Sequence, residues 1–99
     1  LRQRKRFQVT GNSMLPLLQP NEEILVAPSA YKKSLPSVGD VVVLVHPHHS
    51  ELILVKRIAA IDLDNNCFLL GDNLAQSKDS RDWGSVKYTN LIGKVTSRF

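Results

Sequence analysis

Glu51-Leu52-Ile53-Leu54-Val55-Lys56-Arg57-Ile58-Ala59-Ala60-Ile61, followed by Leu63-Asp64-Asn65-Asn66 and then Cys67-Phe68-Leu69-Leu70, is the stretch that decides the fold class. Neither apolar run keeps a 3.6-residue period over a helix-length window, so both read as strands. Asp and Asn tolerate positive φ and bond to their own backbone, which makes residues 63–66 a turn. The Lys56 strand therefore folds back against the Cys67 strand as a hairpin. Side chains alternate along a strand. If Lys56 were the solvated position, Arg57 would be buried with Val55; placing Lys56 inward with Leu54 and Ile58 is the more economical arrangement.

Working outward, residues 7–10, 23–27, 40–46 and 92–97 are rich in β-branched or apolar residues and bounded by turn formers. Together with residues 51–61 and 67–70 they predict a mainly β organisation. Residues 28–37 read as a turn-rich connection, and Gly39-Asp40 opens the next strand as a tight turn. His46-Pro47-His48-His49-Ser50 joins the two strongest strands.

Ninety-nine residues support one small domain spanning 1–99, with residues 1–6 as a basic N-terminal extension. The hydrophobic fraction, 42%, is that of a globular protein. No run approaches the roughly 20 apolar residues that span a bilayer. The basic start Arg2-Gln3-Arg4-Lys5-Arg6 leads into a strand-like segment and not into an apolar signal-peptide core. The reading is of a soluble, cytoplasmic chain. An initial Leu1 in place of Met leaves open that an upstream membrane anchor has been trimmed, which would make the protein membrane-associated. The single Cys67 excludes an internal disulfide and fits a reducing compartment.

Two further segments carry chemistry: Gly11-Asn12-Ser13-Met14-Leu15-Pro16, and the run from Gly71-Asp72-Asn73 to Ser77-Lys78-Asp79-Ser80-Arg81. A serine hydroxyl is a poor nucleophile until a neighbour takes its proton. A lysine amine can do so only where burial holds its pKa well below the free value. The apolar residues on both sides of Lys56 make that burial plausible. Each residue also has a plainer reading: Ser13 as a turn residue after Gly11-Asn12, and Ser77 as loop polarity.

With Val55-Lys56-Arg57 between them, these segments resemble the type I signal peptidase family, whose members hydrolyse a peptide bond with a Ser/Lys dyad. The resemblance runs from about Val9 to Val95. It implies a partly open antiparallel β-barrel of the signal peptidase or SOS-repressor cleavage-domain type. It implies Ser13 as nucleophile, Lys56 as general base, Ser77 as the hydroxyl that orients the lysine, and Asp79 with Arg81 as a structural ion pair behind the site. The Ser13 backbone N–H is the first candidate to bind the oxyanion. The Asn12 side chain or a backbone group is the candidate for the second, since Gly11 stands where some members carry a serine.

The substrate implied is a precursor protein bound as an extended peptide, added as a β-strand near residues 9–13. The short hairpin between Lys56 and Gly71 looks like that of the small maturation protease of nickel-type superoxide dismutase, which removes an N-terminal propeptide. The alternatives are the catalytic part of a membrane signal peptidase and a self-cleaving repressor domain. The latter needs a DNA-binding module for which there is no room. No cofactor is implied, because nickel would belong to the substrate. His46, His48 and His49 invite a metal, but no Cys or carboxylate cluster completes a shell, so an exposed loop is the expectation. Trp83 and Phe68 are expected to be core or rim aromatics. The formal charge of +4, crowded at Arg2 to Arg6, suggests at most weak contact with anionic lipid. The cluster is too short, and too poor in aromatics, for nucleic-acid binding.

Overall fold

The computed structural model describes residues 3–98. Seven strands, β1 (Lys5–Gln8), β2 (Glu23–Ala27), β3 (Val41–His46), β4 (His49–Ile61), β5 (Asn66–Leu70), β6 (Val86–Lys87) and β7 (Leu91–Arg98), form one antiparallel sheet in the order β1-β2-β7-β3-β4-β5-β6. Two single-turn helices, α1 (Ala30–Lys33) and α2 (Ser80–Trp83), interrupt the connections. The sheet curls without closing: β1 and β6 are its free ends. No helix among the described residues is long and apolar enough to cross a membrane.

The sheet buries both faces. Val42, Leu44, Ile58, Cys67 and Leu69 make one core, while Val43, Ile24, Val26, Met14 and Leu18 make the other. The run Val42-Val43-Leu44 is wholly buried because β3 lies at the centre, between β7 and β4. A continuous apolar run is the signature of a strand covered on both sides.

Residues 23–27 are the strand that the sequence predicts, and the strands at 40–46, 51–61, 67–70 and 92–97 differ by one or two residues at their ends. The first strand begins earlier than its apolar content suggests, at Lys5 instead of Phe7. Pairing decides this: Lys5 stands opposite Val26, and the Arg6 guanidinium meets the Glu23 carboxylate at 3.2 Å. Part of the basic extension expected at residues 1–6 is therefore strand, while Arg2 lies outside the described residues. The short α1, α2 and β6 carry too few residues for any periodicity to reveal them.

The β4–β5 hairpin forms as predicted, its turn tied by Asp62, whose carboxylate accepts the N–H groups of Asp64 and Asn66 at 2.9 Å. Asn65 takes φ 62° within it. β5 pairs only with Arg57–Ile61, so the corresponding edge of β4 from Ile53 to Lys56 has no ladder partner among the described strands. That open edge faces the segment following β1 across a cleft that Ser13 and Lys56 both line.

Candidate active site

Ser13 sits in the loop that leaves β1. Met14 and Leu18 drive into the second core, 1% and 2% exposed, and anchor that loop. A second constraint comes from Asn73, whose backbone N–H donates to the Ser13 carbonyl at 2.8 Å while its side-chain Nδ2 donates to the Asn12 carbonyl at 3.1 Å. The chain at Gly71 passes so close that a Cβ there would stand 2.2 Å from Ser77 Oγ and 2.6 Å from the Ser13 carbonyl oxygen. Glycine is required at this position for closeness, and not for a left-handed backbone.

Lys56 lies in mid-β4, opposite Val42, with its side chain turned to the same face as Leu54 and Ile58. It is 3% exposed. Its amine donates to Ser77 Oγ at 3.1 Å, and Ser77 Oγ donates in turn to Asp79 Oδ2 at 2.7 Å. Asp79 is fully buried and also accepts from the Gly71 N–H at 3.0 Å. Arg81 closes the chain with Nε on Asp79 Oδ1 at 2.9 Å and Nη2 on Oδ2 at 3.1 Å. Asp79 is also the N-cap of α2, accepting the Arg81 N–H while Asp82 accepts the Asp79 N–H. The buried Ser80 hydroxyl accepts the Leu69 N–H at 2.8 Å, which fastens α2 to β5.

The electrostatics follow from this packing. Burial pushes the Lys56 pKa below that of a free lysine, against the opposing pull of the Asp79 charge, while Arg81 adds to the lowering. Burial would by itself raise the Asp79 pKa. The hydrogen bonds from Arg81, the Gly71 N–H and Ser77 outweigh it and hold the carboxyl well below the usual range. Asp79 therefore stays charged and directs the Ser77 hydroxyl hydrogen toward itself, leaving the oxygen to accept from Lys56.

Ser13 and Lys56 both line a cleft of about 240 Å³ whose other walls include Phe7, Val9, Thr10, Ile53 and Val55. Among the described residues neither the Ser13 hydroxyl nor its backbone N–H is hydrogen-bonded. The two dyad candidates share the cleft without bonding to one another; catalytic hydrogen bonds commonly tighten only around bound substrate. Asn12, the residue before Ser13, is exposed.

Arg57, Asp72 and Asn73 lie within the motif segments, where the sequence by itself assigns them no task. Arg57 grips Asp72 with two bonds of 2.9 and 3.0 Å and reaches the Gly39 carbonyl at 2.9 Å. This clamps the start of the Gly71–Arg81 segment to β4. The hairpin register carried the signal: Arg57 pairs with Leu70, two residues before Asp72. The histidines lie on the hairpin joining β3 and β4, where His46 packs against Trp83 at 5.6 Å between ring centroids and accepts the His48 N–H. Among the described residues no group of three His, Cys, Asp or Glu is arranged to hold a metal ion. Trp83 packs against the first core, as a core or rim aromatic should.

A serine and a buried lysine thus line one cleft, and a second serine, an aspartate and an arginine stand in line behind the lysine. The family model described as signal peptidase, peptidase S26, matches residues 3–65 and 63–99. The chain belongs to that family of serine endopeptidases. It is 29% identical to the mitochondrial ATP-independent inner membrane protease subunit 1b of Arabidopsis thaliana, over 89% of this chain and 65% of that protein. It is 32% identical to the mitochondrial inner membrane protease subunit 1 of Schizosaccharomyces pombe, over 93% of this chain and 73% of that protein. A shorter match, 53% identical over 43 residues, covers 43% of this chain and 13% of signal peptidase I from Helicobacter pylori. The chain thus spans about two thirds of the length of the first two relatives.

Proposed function

We propose that this chain is a processing endopeptidase that removes an N-terminal segment from a precursor protein, with Ser13 as nucleophile and Lys56 as general base. The observation that carries the reading is the hydrogen-bonded chain Lys56–Ser77–Asp79–Arg81, buried at Lys56 and Asp79, whose lysine opens onto the cleft of Ser13. Neutral Lys56 accepts the Ser13 proton as the hydroxyl attacks the scissile carbonyl, then passes it to the leaving amine. Water activated by Lys56 releases the acyl group from Ser13. The Ser13 N–H, which no described acceptor occupies, is the first oxyanion donor, and the exposed Asn12 is the candidate for the second. Substrate enters as an extended strand between the open edges of β1 and β4, where main-chain groups stand ready.

The relatives bear on which precursor is cut. Two are inner membrane proteases by name and one is a signal peptidase, which favours a precursor delivered at a membrane, and with it a membrane-associated enzyme. The short turn of the β4–β5 hairpin favours the other candidate, a propeptide of nickel-type superoxide dismutase cut in the cytoplasm. The deciding experiment incubates the purified chain with each precursor, with and without detergent, and sequences the new amino terminus. Cleavage of a secretory precursor, dependent on detergent or lipid and absent in Ser13→Ala, upholds the first. Cleavage of the dismutase precursor alone upholds the second. Failure on both removes the processing role.

A further inference from the structure

Away from the catalytic cleft, the chain before and within β1, α1, and the middle of β7 enclose a second and larger concavity, of about 830 Å³. Among the described residues its walls carry five cationic side chains, Arg4, Lys5, Lys32, Lys33 and Lys94, against one carboxylate, Asp40. That carboxylate is already engaged: it accepts from the Tyr31 hydroxyl at 2.8 Å and the Ser37 N–H at 3.1 Å, and it meets Lys94 at 3.5 Å. Among the described residues no carboxylate pairs with Lys5, Lys32 or Lys33. Confining like charges to the wall of a concavity raises the local potential and so attracts an anion.

The two clefts share one strand. Lys5 borders the basic cleft, whereas Phe7 and Gln8, on the same strand, border the catalytic one. At about 3.3 Å per residue, the eight positions from Lys5 to Ser13 span at most about 26 Å. A peptide lying along β1 with its scissile bond at Ser13 therefore reaches the basic cleft with residues roughly six to ten positions from the cut.

We propose that the basic cleft is an exosite for an acidic segment of the substrate, displaced from the scissile bond by the length of β1. This rests on the endopeptidase reading. A peptide is favoured over a lipid surface by shape: a flat bilayer touches only the rim of a concavity, while an extended chain can enter it. The site sets which precursors are held long enough to be cut, and leaves the chemistry to the dyad.

The test uses two precursor peptides, identical around the scissile bond, that carry either a run of Glu or a run of Gln six to ten residues away. The Glu peptide is expected to show about tenfold higher kcat/KM at low ionic strength, chiefly through KM, and to lose that advantage near 0.5 M salt. Lys32→Glu/Lys33→Glu should abolish the advantage, while Lys87→Glu, exposed on β6 at the other end of the sheet, should preserve it. Circular dichroism checks that each variant is folded. Equal cleavage of both peptides by the unaltered chain overturns the exosite and leaves the endopeptidase reading standing. If neither peptide is cut, that reading fails, and the anisotropy of a fluorescein-labelled Glu peptide decides the cleft: binding lost in Lys32→Glu/Lys33→Glu upholds an acidic-peptide site, and no binding overturns it. Binding to phosphatidylglycerol vesicles without binding to the Glu peptide overturns it in favour of a membrane surface.

Discussion

In its proposed role Lys56 acts as a base only while neutral, and its burial favours the neutral form by lowering its pKa from the ordinary lysine value. For a lysine with a lowered folded pKa the unfolded chain binds more protons between the two values, so this residue's contribution to stability rises with pH through that window. Activity should follow the same deprotonation. The kcat/KM profile is expected to rise with pH through a value below the free-lysine pKa, and activity undiminished at acid pH would assign the base elsewhere. Ser13→Ala and Lys56→Ala are each expected to cost more than about a thousandfold in kcat/KM, with the double variant no worse, because the proposed dyad would act as a unit. Lys56→Met replaces a desolvated amine with an apolar chain of similar length. It should abolish turnover while leaving the melting temperature no lower than that of the unaltered chain. Ser77→Ala is expected to lower kcat by about tenfold to a hundredfold with little change in KM, since Ser77 stands between the Lys56 amine and Asp79 and its proposed role is to orient that amine.

At the scale of the element, the segment from Gly71 to Arg81 is the device that assembles the site. It is clamped to β4 by Arg57 and Asp72, bonded to the Ser13 loop by Asn73, and capped onto α2 by Asp79. Gly71→Ala places a methyl against Ser77 and the Ser13 carbonyl together, so urea unfolding should show a loss of about 1–3 kcal/mol alongside a loss of kcat. A fall in stability with kcat intact would separate packing from catalysis at this glycine. Arg81→Ala strips the buried Asp79 of its cation and should lower the melting temperature by several degrees. Because the folded pKa of Asp79 is depressed, its stabilising contribution is present above the unfolded value of about 3.9 and is lost as pH falls through the folded one. Acid titration of Asp79→Asn should therefore show a flatter loss of stability below about pH 4 than the unaltered chain.

Across the whole molecule, the curled sheet with two buried faces and an unclosed seam is what lets a loop after β1 meet the middle of β4. Much of this was legible in the chain. Period-2 and continuous apolar runs identified six of the seven strands, and Asp-Asn chemistry identified the β4–β5 turn, because both depend on neighbours in sequence. The inward side of Lys56 followed from alternation alone, since only one face could take Leu54 and Ile58 together. Strand β6 and helices α1 and α2 were not legible, being shorter than any period that could announce them. Nor was the start of β1 at Lys5, which pairing with Val26 decides. The residues Ser13, Lys56, Ser77, Asp79 and Arg81 could be named from their motifs. Their order of contact, the Arg57–Asp72 clamp, the closeness at Gly71 and the basic cleft beside α1 arise only when strands far apart in sequence become neighbours. Sequence by itself determined the strands and the reactive residue types, because those express local sterics and side-chain chemistry. Tertiary structure alone decided the buried lysine's partners and the two clefts, because burial and charge proximity exist only once the sheet has folded over them.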